Sequence, residues 1–380
     1  MTPSQKATTL AMMFELQSMY FCDDEPAKFE DVKYWTEEVA GGYLHITDDT
    51  ITDDTKSEPD PDSPKPPDSP DSPDSPLMSA IEIDGYHISP PPPSTPDSLS
   101  FAINHTLASL ASHGWPPQFL LLYDEIWTLL SSTISSHYTS LGPSLLLEAD
   151  VNVWHLTRPP PSTSPSPPKK IGSNFPNPHR DMTYSQCHPT SSLPTSLSIW
   201  IPLTPSGSTP TNGCMRILPI SQDNFFFSPD HPHHSNNSHY VDGGEEVKLT
   251  VPQFGSASWD PSCVHWGGGC EFDSKDEPRA SLAFTIRKGD AKKGEFIVGG
   301  GEGVEQTGPK EVEVGRCGEG GIRRRLSVVA KAILGYSHHW PGLPFEEFEE
   351  NLLRTKEKES APPIPSTPPS TKPPPPPPNK

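Results

Sequence analysis

The sequence predicts a mainly β domain, an antiparallel sandwich or small barrel preceded by helices and interrupted by segments too rich in proline to pack. Three observations predict it. Six short apolar or alternating runs, separated by Gly, Pro, Ser and Asn, lie between residues 145 and 287. Two apolar stripes at helical spacing precede them, between residues 97 and 138. The chain also carries 51 prolines, many gathered into four tracts.

The tracts set the outer limits. "SEPDPDSPKPPDSPDSPDSP" (57–76), "SPPPPSTP" (89–96), "RPPPSTSPSPPKK" (158–170) and "APPIPSTPPSTKPPPPPPNK" (361–380) are polyproline-prone. They hold few apolar side chains, so ordering them costs entropy that little burial offsets, and they are expected to be disordered. Without them roughly 300 residues are left, enough for one substantial core. The expected division is an acidic, partly disordered region at 1–76, one large domain at 77–355 and a proline-rich tail at 356–380. Within the domain, helices occupy 97–140, the β core 145–290, and a Gly-rich loop with C-terminal helices 291–355.

Each element has its own signal. Around "FEDVKYWTEEVAGGYLHI" one or two short helices are expected, with their place in the core left open. In "DSLSFAINHTLASLASHGW" Leu99, Ile103, Leu107 and Leu110 recur at helical spacing, Asp97 suits the N-cap and Gly114 the stop. "PPQFLLLYDEIWTLLSSTISSHY" reads as a second helix opened by prolines. The period then shortens towards two in "LLLEADVNVWHLTR", "TSLSIWIPL", "GCMRILPIS", "EVKLTVP", "GSASWDP" and "RASLAFTIR". "IRRRLSVVAKAILGYSHHW" fits a closing amphipathic helix with Leu326, Val329 and Ile333 inward and basic residues outward.

Charge and cysteine content exclude several functions. The net charge of -21 is concentrated: residues 1–84 hold twenty acidic and five basic residues, a net of -15, which leaves -6 for the other 296. An acidic leader argues against nucleic-acid binding. Six cysteines without a C-x-x-C pair suit a reducing compartment better than a disulfide or zinc framework. No signal-peptide pattern and no membrane-length apolar run is seen, so a cytoplasmic location without a membrane span is expected.

The chemistry starts at "NPHRDMTYSQC", where His179 and Asp181 form the one His-x-Asp triplet of the chain. Two residues apart in an extended segment, they project to the same side. A non-haem iron site needs two imidazoles and a carboxylate on one face. His265 in "GSASWDPSCVHWGGG", 84 residues beyond Asp181, is the best third ligand. A dicarboxylate co-substrate would also need a cation, preferably an arginine fork. Arg279 and Arg287 stand eight residues apart, which is about 26 Å in a strand. A hairpin-like return after His265 brings Arg279 near the site and leaves Arg287 as a surface or edge charge. The histidines at 231, 233, 234 and 239 sit in a polar, solvated loop, and Cys187 reads as structural.

"PHRDMTY", "LSIWIPLTPSGSTPTNGCMRILPISQD" and "GSASWDPSCVHWGGGCEFDSKDEPRASLAFTIR" together resemble the phytanoyl-CoA dioxygenase family of iron(II)- and 2-oxoglutarate-dependent oxygenases. The resemblance spans about residues 80–290. It implies a double-stranded β-helix (jelly-roll or cupin-like) core with flanking helices, and iron ligands His179, Asp181 and His265. It also implies that Arg279 binds the distal carboxylate of 2-oxoglutarate, with Trp200 in contact with the co-substrate. The implied activity is hydroxylation of a small organic, lipid or acyl substrate by dioxygen, coupled to conversion of 2-oxoglutarate to succinate. Iron(II) and 2-oxoglutarate are the implied cofactors, with ascorbate a further candidate. A carboxylate at Asp181 implies hydroxylation or oxidation, because related halogenases keep that position small for chloride. The other functional class is an inactive barrel acting as an interaction protein, its proline-rich segments docking on SH3- or WW-type partners.

Overall fold

The computed structural model describes residues 33–46, 75–113, 115–141, 145–148, 151–156, 170–171, 177–189, 192–228, 231, 244–271, 273–288 and 296–298, with positions 325, 328, 329, 332 and 333. The proline tracts, apart from residues at their margins and the segment 89–96, fall outside these residues, as do His233, His234, His239 and Leu326.

Helices come first. A π-helical turn (Tyr34–Val39) is followed by α1 (Pro76–Asp84), α2 (Asp97–His113), a 3-10 turn (Pro117–Leu122) and α3 (Asp124–Leu141). α1 has no counterpart in the sequence reading. α2 buries Leu99, Ile103, Leu107 and Leu110, the stripe that its periodicity predicts. The single helix expected from residue 116 is two pieces, because the chain turns at Tyr123 in an extended conformation before α3 begins. Of the segment left open at 10–45, the described residues contribute to the core: Trp35 is fully buried, stacks on Phe119 at 4.9 Å and lies 5.3 Å from Trp115. The core therefore draws on residues before 77.

The strands are β1 (Tyr86–Ser89), β2 (Leu145–Leu147), β3 (Asn152–His155), β4 (Lys170–Ile171), β5 (Ser196–Pro202), β6 (Met215–Ile217), β7 (Val247–Lys248), β8 (Ser256–Trp259), β9 (His265–Gly267), β10 (Cys270–Glu271), β11 (Ala280–Lys288) and β12 (Phe296–Val298). A four-residue helix, α4 (Tyr184–Cys187), sits between β4 and β5. Among the described residues the main sheet runs β1-β8-β5-β11-β2-β12, with β3 also pairing with β11. A second sheet, β7-β6-β9, and a β10-β4 pair complete the pattern, and every pairing is antiparallel. The run 145–158 is two strands, β2 and β3, and both pair with the long β11.

Side-chain alternation along the strands separates two cores. On β5, Leu197, Ile199 and Ile201 face the helices together with Leu282, Phe284 and Ile286 of β11. Trp200 points the other way. It joins Ala257 and Trp259 of β8 with Met215 and Ile217 of β6, a cluster that bridges the two sheets. Sandwiching one sheet between helices and a second sheet explains why β5 is buried along its whole length. The closing segment differs from expectation in one respect: Val328, Val329, Ala332 and Ile333 are buried, but so is Arg325. Arg325 is paired with Asp124 and donates to the Leu122 carbonyl at 2.6 Å, so this basic residue faces the core side.

Candidate functional site

The site forms where the segment after Asn177 crosses the start of β9. His179 and His265 exchange backbone hydrogen bonds, N–H to carbonyl at 3.0 and 2.9 Å, as an isolated antiparallel bridge. The amides of Asp181 and Met182 both donate to the Pro261 carbonyl, at 2.9 and 3.1 Å. His179 and His265, 86 positions apart in sequence, are thereby fixed side by side. Ligand atoms of His179, Asp181 and His265 all lie within 4.8 Å of one another. Asp181 Oδ1 is 3.8 Å from His179 Nε2 and 3.4 Å from His265 Nε2.

The outer atoms of the three side chains are held as a metal site requires. His179 Nδ1 faces the Asn177 carbonyl at 2.9 Å and His265 Nδ1 faces the Cys263 carbonyl at 3.1 Å. Donation from each Nδ1–H leaves each Nε2 as a lone-pair donor. Asp181 Oδ2 accepts from Ser198 Oγ at 2.7 Å, which directs Oδ1 between the imidazoles.

Electrostatics agree with this arrangement. Burial, then the neighbouring His265, holds His179 down to about 4 against the opposing pull of Asp181. Desolvation alone would raise Asp181, but the two imidazoles and the Ser198 hydroxyl outweigh it and keep the carboxyl below its ordinary range. Burial alone would lower His265, and the adjacent carboxylate raises it instead. An ionised carboxylate between two imidazoles is a donor set suited to a divalent cation such as iron(II).

A cavity of about 440 Å³ opens on these groups, walled by Trp154, Met182, Trp200, Met215 and Trp259, with Glu148 and Thr285 among its polar members. Arg279 lies just before β11, 1% exposed, and lines the same cavity. Its Nη1 reaches Ser281 Oγ at 3.1 Å, while Nε and Nη2 are buried without a hydrogen-bond partner among the described residues. Its carbon centre lies 5.2 Å from the Trp200 ring, and burial pulls the guanidinium down to about 10, still cationic at neutral pH. Leaving two charged donors unsatisfied is costly. A carboxylate entering the cavity would satisfy both.

All five sequence-predicted site residues thus meet in one cavity: His179, Asp181, His265, Arg279 and Trp200. Arg287 differs from its expected role. It is largely buried, 3.6 Å from Glu148, at the far end of β11. Sequence reasoning missed Ser198, although it shares strand parity with Trp200 and could have been found that way. It also missed the buried pairs Arg180–Asp223 at 2.6 Å and His188–Asp260 at 2.7 Å, which no local spacing announces. Cys187, Cys214, Cys263 and Cys270 are buried thiols that form no disulfide among the described residues.

Residues 138–270 match the model of the phytanoyl-CoA dioxygenase family. Over this stretch the chain is similar to the phytanoyl-CoA dioxygenase family. The matched range contains the His179, Asp181 and His265 cluster, and Arg279 follows nine residues beyond it. No curated protein matched the chain. Among solved structures, the apo non-haem monooxygenase ThoJ is 14% identical with a TM-score of 0.42, over 68% of this chain and 99% of its own. The non-haem alpha-ketoglutarate-dependent epimerase SnoN from nogalamycin biosynthesis is 15% identical with a TM-score of 0.36, over 56% and 82%. AviO1 from Streptomyces viridochromogenes Tue57 is 16% identical with a TM-score of 0.35, over 57% and 95%. No described helix is long and apolar enough to cross a membrane.

Proposed function

We propose that the protein is an iron(II)- and 2-oxoglutarate-dependent dioxygenase built on a double-stranded β-helix, and that it hydroxylates a small organic substrate, lipid or acyl molecules among the candidates. The observation that carries this reading is the Arg279 guanidinium, whose Nε and Nη2 have no hydrogen-bond partner among the described residues, in the same cavity as the His179, Asp181 and His265 cluster. A metal cluster alone fits many chemistries; a metal cluster with a buried, unsatisfied arginine fork fits a chelating dicarboxylate.

In this reading His179, Asp181 and His265 would hold iron, two imidazoles and a carboxylate being the donor set that non-haem iron takes. Iron when bound would supply the oxidising chemistry that couples decarboxylation of 2-oxoglutarate to succinate with hydroxylation of a substrate C–H bond. The other tasks fall to the chain. Ser198 keeps Asp181 in a single orientation, Arg279 receives the distal carboxylate, and Trp200 packs against that guanidinium. The walls of Trp154, Trp259 and Met215 limit water around the reacting centre. Asp181 fills the position that a halide would need, which favours hydroxylation over halogenation.

The test is purified protein supplied with iron(II), ascorbate and 2-oxoglutarate, with succinate as the readout. The reading expects slow succinate formation without substrate and none in His179→Ala. Metabolite extracts then screen for mass gains of one oxygen that require both protein and 2-oxoglutarate.

A further inference from the structure

The turn Asp260–Cys263 touches both halves of the metal cluster, and its shape depends on one carboxylate. Asp260 is 1% exposed. Its Oδ1 accepts from the Ser262 amide at 2.8 Å and the Ser262 hydroxyl at 2.7 Å, an Asx-turn arrangement. Its Oδ2 faces His188 Nε2 at 2.7 Å. The Cys263 amide donates back to the Asp260 carbonyl at 2.8 Å, closing the turn.

What the turn presents outward is a pair of carbonyls. The Pro261 carbonyl receives the amides of Asp181 and Met182, and the Ser262 carbonyl receives Arg180 Nη1. Arg180 is also fixed on its far side, Nη2 to Asp223 Oδ2 at 2.6 Å. The segment carrying His179 and Asp181 is therefore registered on this turn, and the turn leads within two residues into His265. Rotation of the 261–262 peptide would move Asp181 relative to His265, and ligand geometry tolerates only small displacements.

We propose that Asp260, with His188 as its partner, is a positioning residue for the metal centre. It acts through the Pro261 and Ser262 carbonyls, and it touches neither metal nor substrate. His188 contributes a second constraint, since its ring stacks on Tyr184 at 4.2 Å and ties the segment after Asp181 to the same carboxylate. The inference rests on the metal reading of the cluster.

Anaerobic Co(II) titration of the full chain tests it, with near-ultraviolet circular dichroism reporting the folded fraction. Wild type is expected to bind one Co(II). Asp260→Ala and His188→Phe, the latter keeping the ring but losing the donor, should weaken binding by about tenfold to a hundredfold. His188→Gln, which can still donate to Asp260, should recover part of the loss. Gln118→Ala removes a buried hydrogen bond to Asn152 of 3.0 Å in the helical half of the core. It should lower the melting temperature without changing Co(II) affinity, separating positioning from general stability. If Asp260→Ala does not fold, the contrast between His188→Phe and His188→Gln decides. Wild-type Co(II) affinity in the folded His188→Phe protein overturns the proposal even though the metal site stands. Absence of Co(II) binding in wild type overturns the metal reading itself, and this inference with it.

Discussion

Ser198 Oγ donates to Asp181 Oδ2 at 2.7 Å, so one carboxylate oxygen is committed to the protein and the other faces the two imidazoles. The pairing follows from strand geometry: Ser198 lies on the face of β5 that also carries Trp200, opposite the face that packs on the helices. Ser198→Ala frees Asp181 to rotate. Metal affinity should fall about tenfold with little change in melting temperature, as measured by Co(II) titration.

Arg279 gives a prediction of opposite sign for stability and binding. Its Nε and Nη2 lack partners in a buried setting, so the charge costs the folded chain more than it returns. Arg279→Met should leave the melting temperature unchanged or raised in the absence of ligand. The same variant should lose 2-oxoglutarate affinity by about a hundredfold, on the order of 3 kcal/mol for a truncated buried ion pair, while still binding metal. Thermal unfolding of the ligand-free protein measures the first, and calorimetric titration of 2-oxoglutarate into metal-loaded protein the second.

His137 predicts how stability responds to acid. Its Nδ1 faces the Thr133 carbonyl at 2.7 Å and its Nε2 faces Ser258 Oγ at 2.6 Å, tying α3 to β8. Burial holds it down to about 4. In the unfolded chain the imidazole takes up a proton near its ordinary value of 6.5, so between these two values the unfolded state binds more protons and stability rises with pH. The contribution is complete above about 6.5 and is lost as pH falls towards about 4. His137→Gln should flatten this dependence, seen as a smaller difference in melting temperature between pH 5 and pH 7.

Trp35 tests where the folded unit begins. Fully buried against Trp115 and Phe119, it belongs to the helical half of the core. Trp35→Ala should cost about 3–5 kcal/mol, measured by denaturant unfolding. A variant lacking residues 1–46 should be destabilised at least as much.

The parts of the site that sequence made legible are those whose spacing carries information. His179 and Asp181 announce themselves as a triplet, Arg279 by its place at one end of a strand, and Leu99 to Leu110 by helical period. What stayed hidden depends on contacts between distant segments. Nothing around Trp35 says that it stacks on Phe119. Nothing in "WDPSC" says that Asp260 meets His188, 72 residues earlier. Arg325 misled for a related reason: its charge suggests solvent, but Asp124 and the Leu122 carbonyl supply partners that only the tertiary fold provides. Arg287 likewise finds Glu148 across the paired strands β11 and β2.

The most direct measurement is anaerobic titration of iron(II) and then 2-oxoglutarate into purified wild type and His265→Ala, followed by addition of oxygen and quantification of succinate. The account predicts one iron and one 2-oxoglutarate per wild-type chain with succinate formed on oxygenation, and neither iron binding nor succinate in the variant. Wild-type protein that binds no iron, or a His265→Ala chain that forms succinate at the wild-type rate, would contradict it.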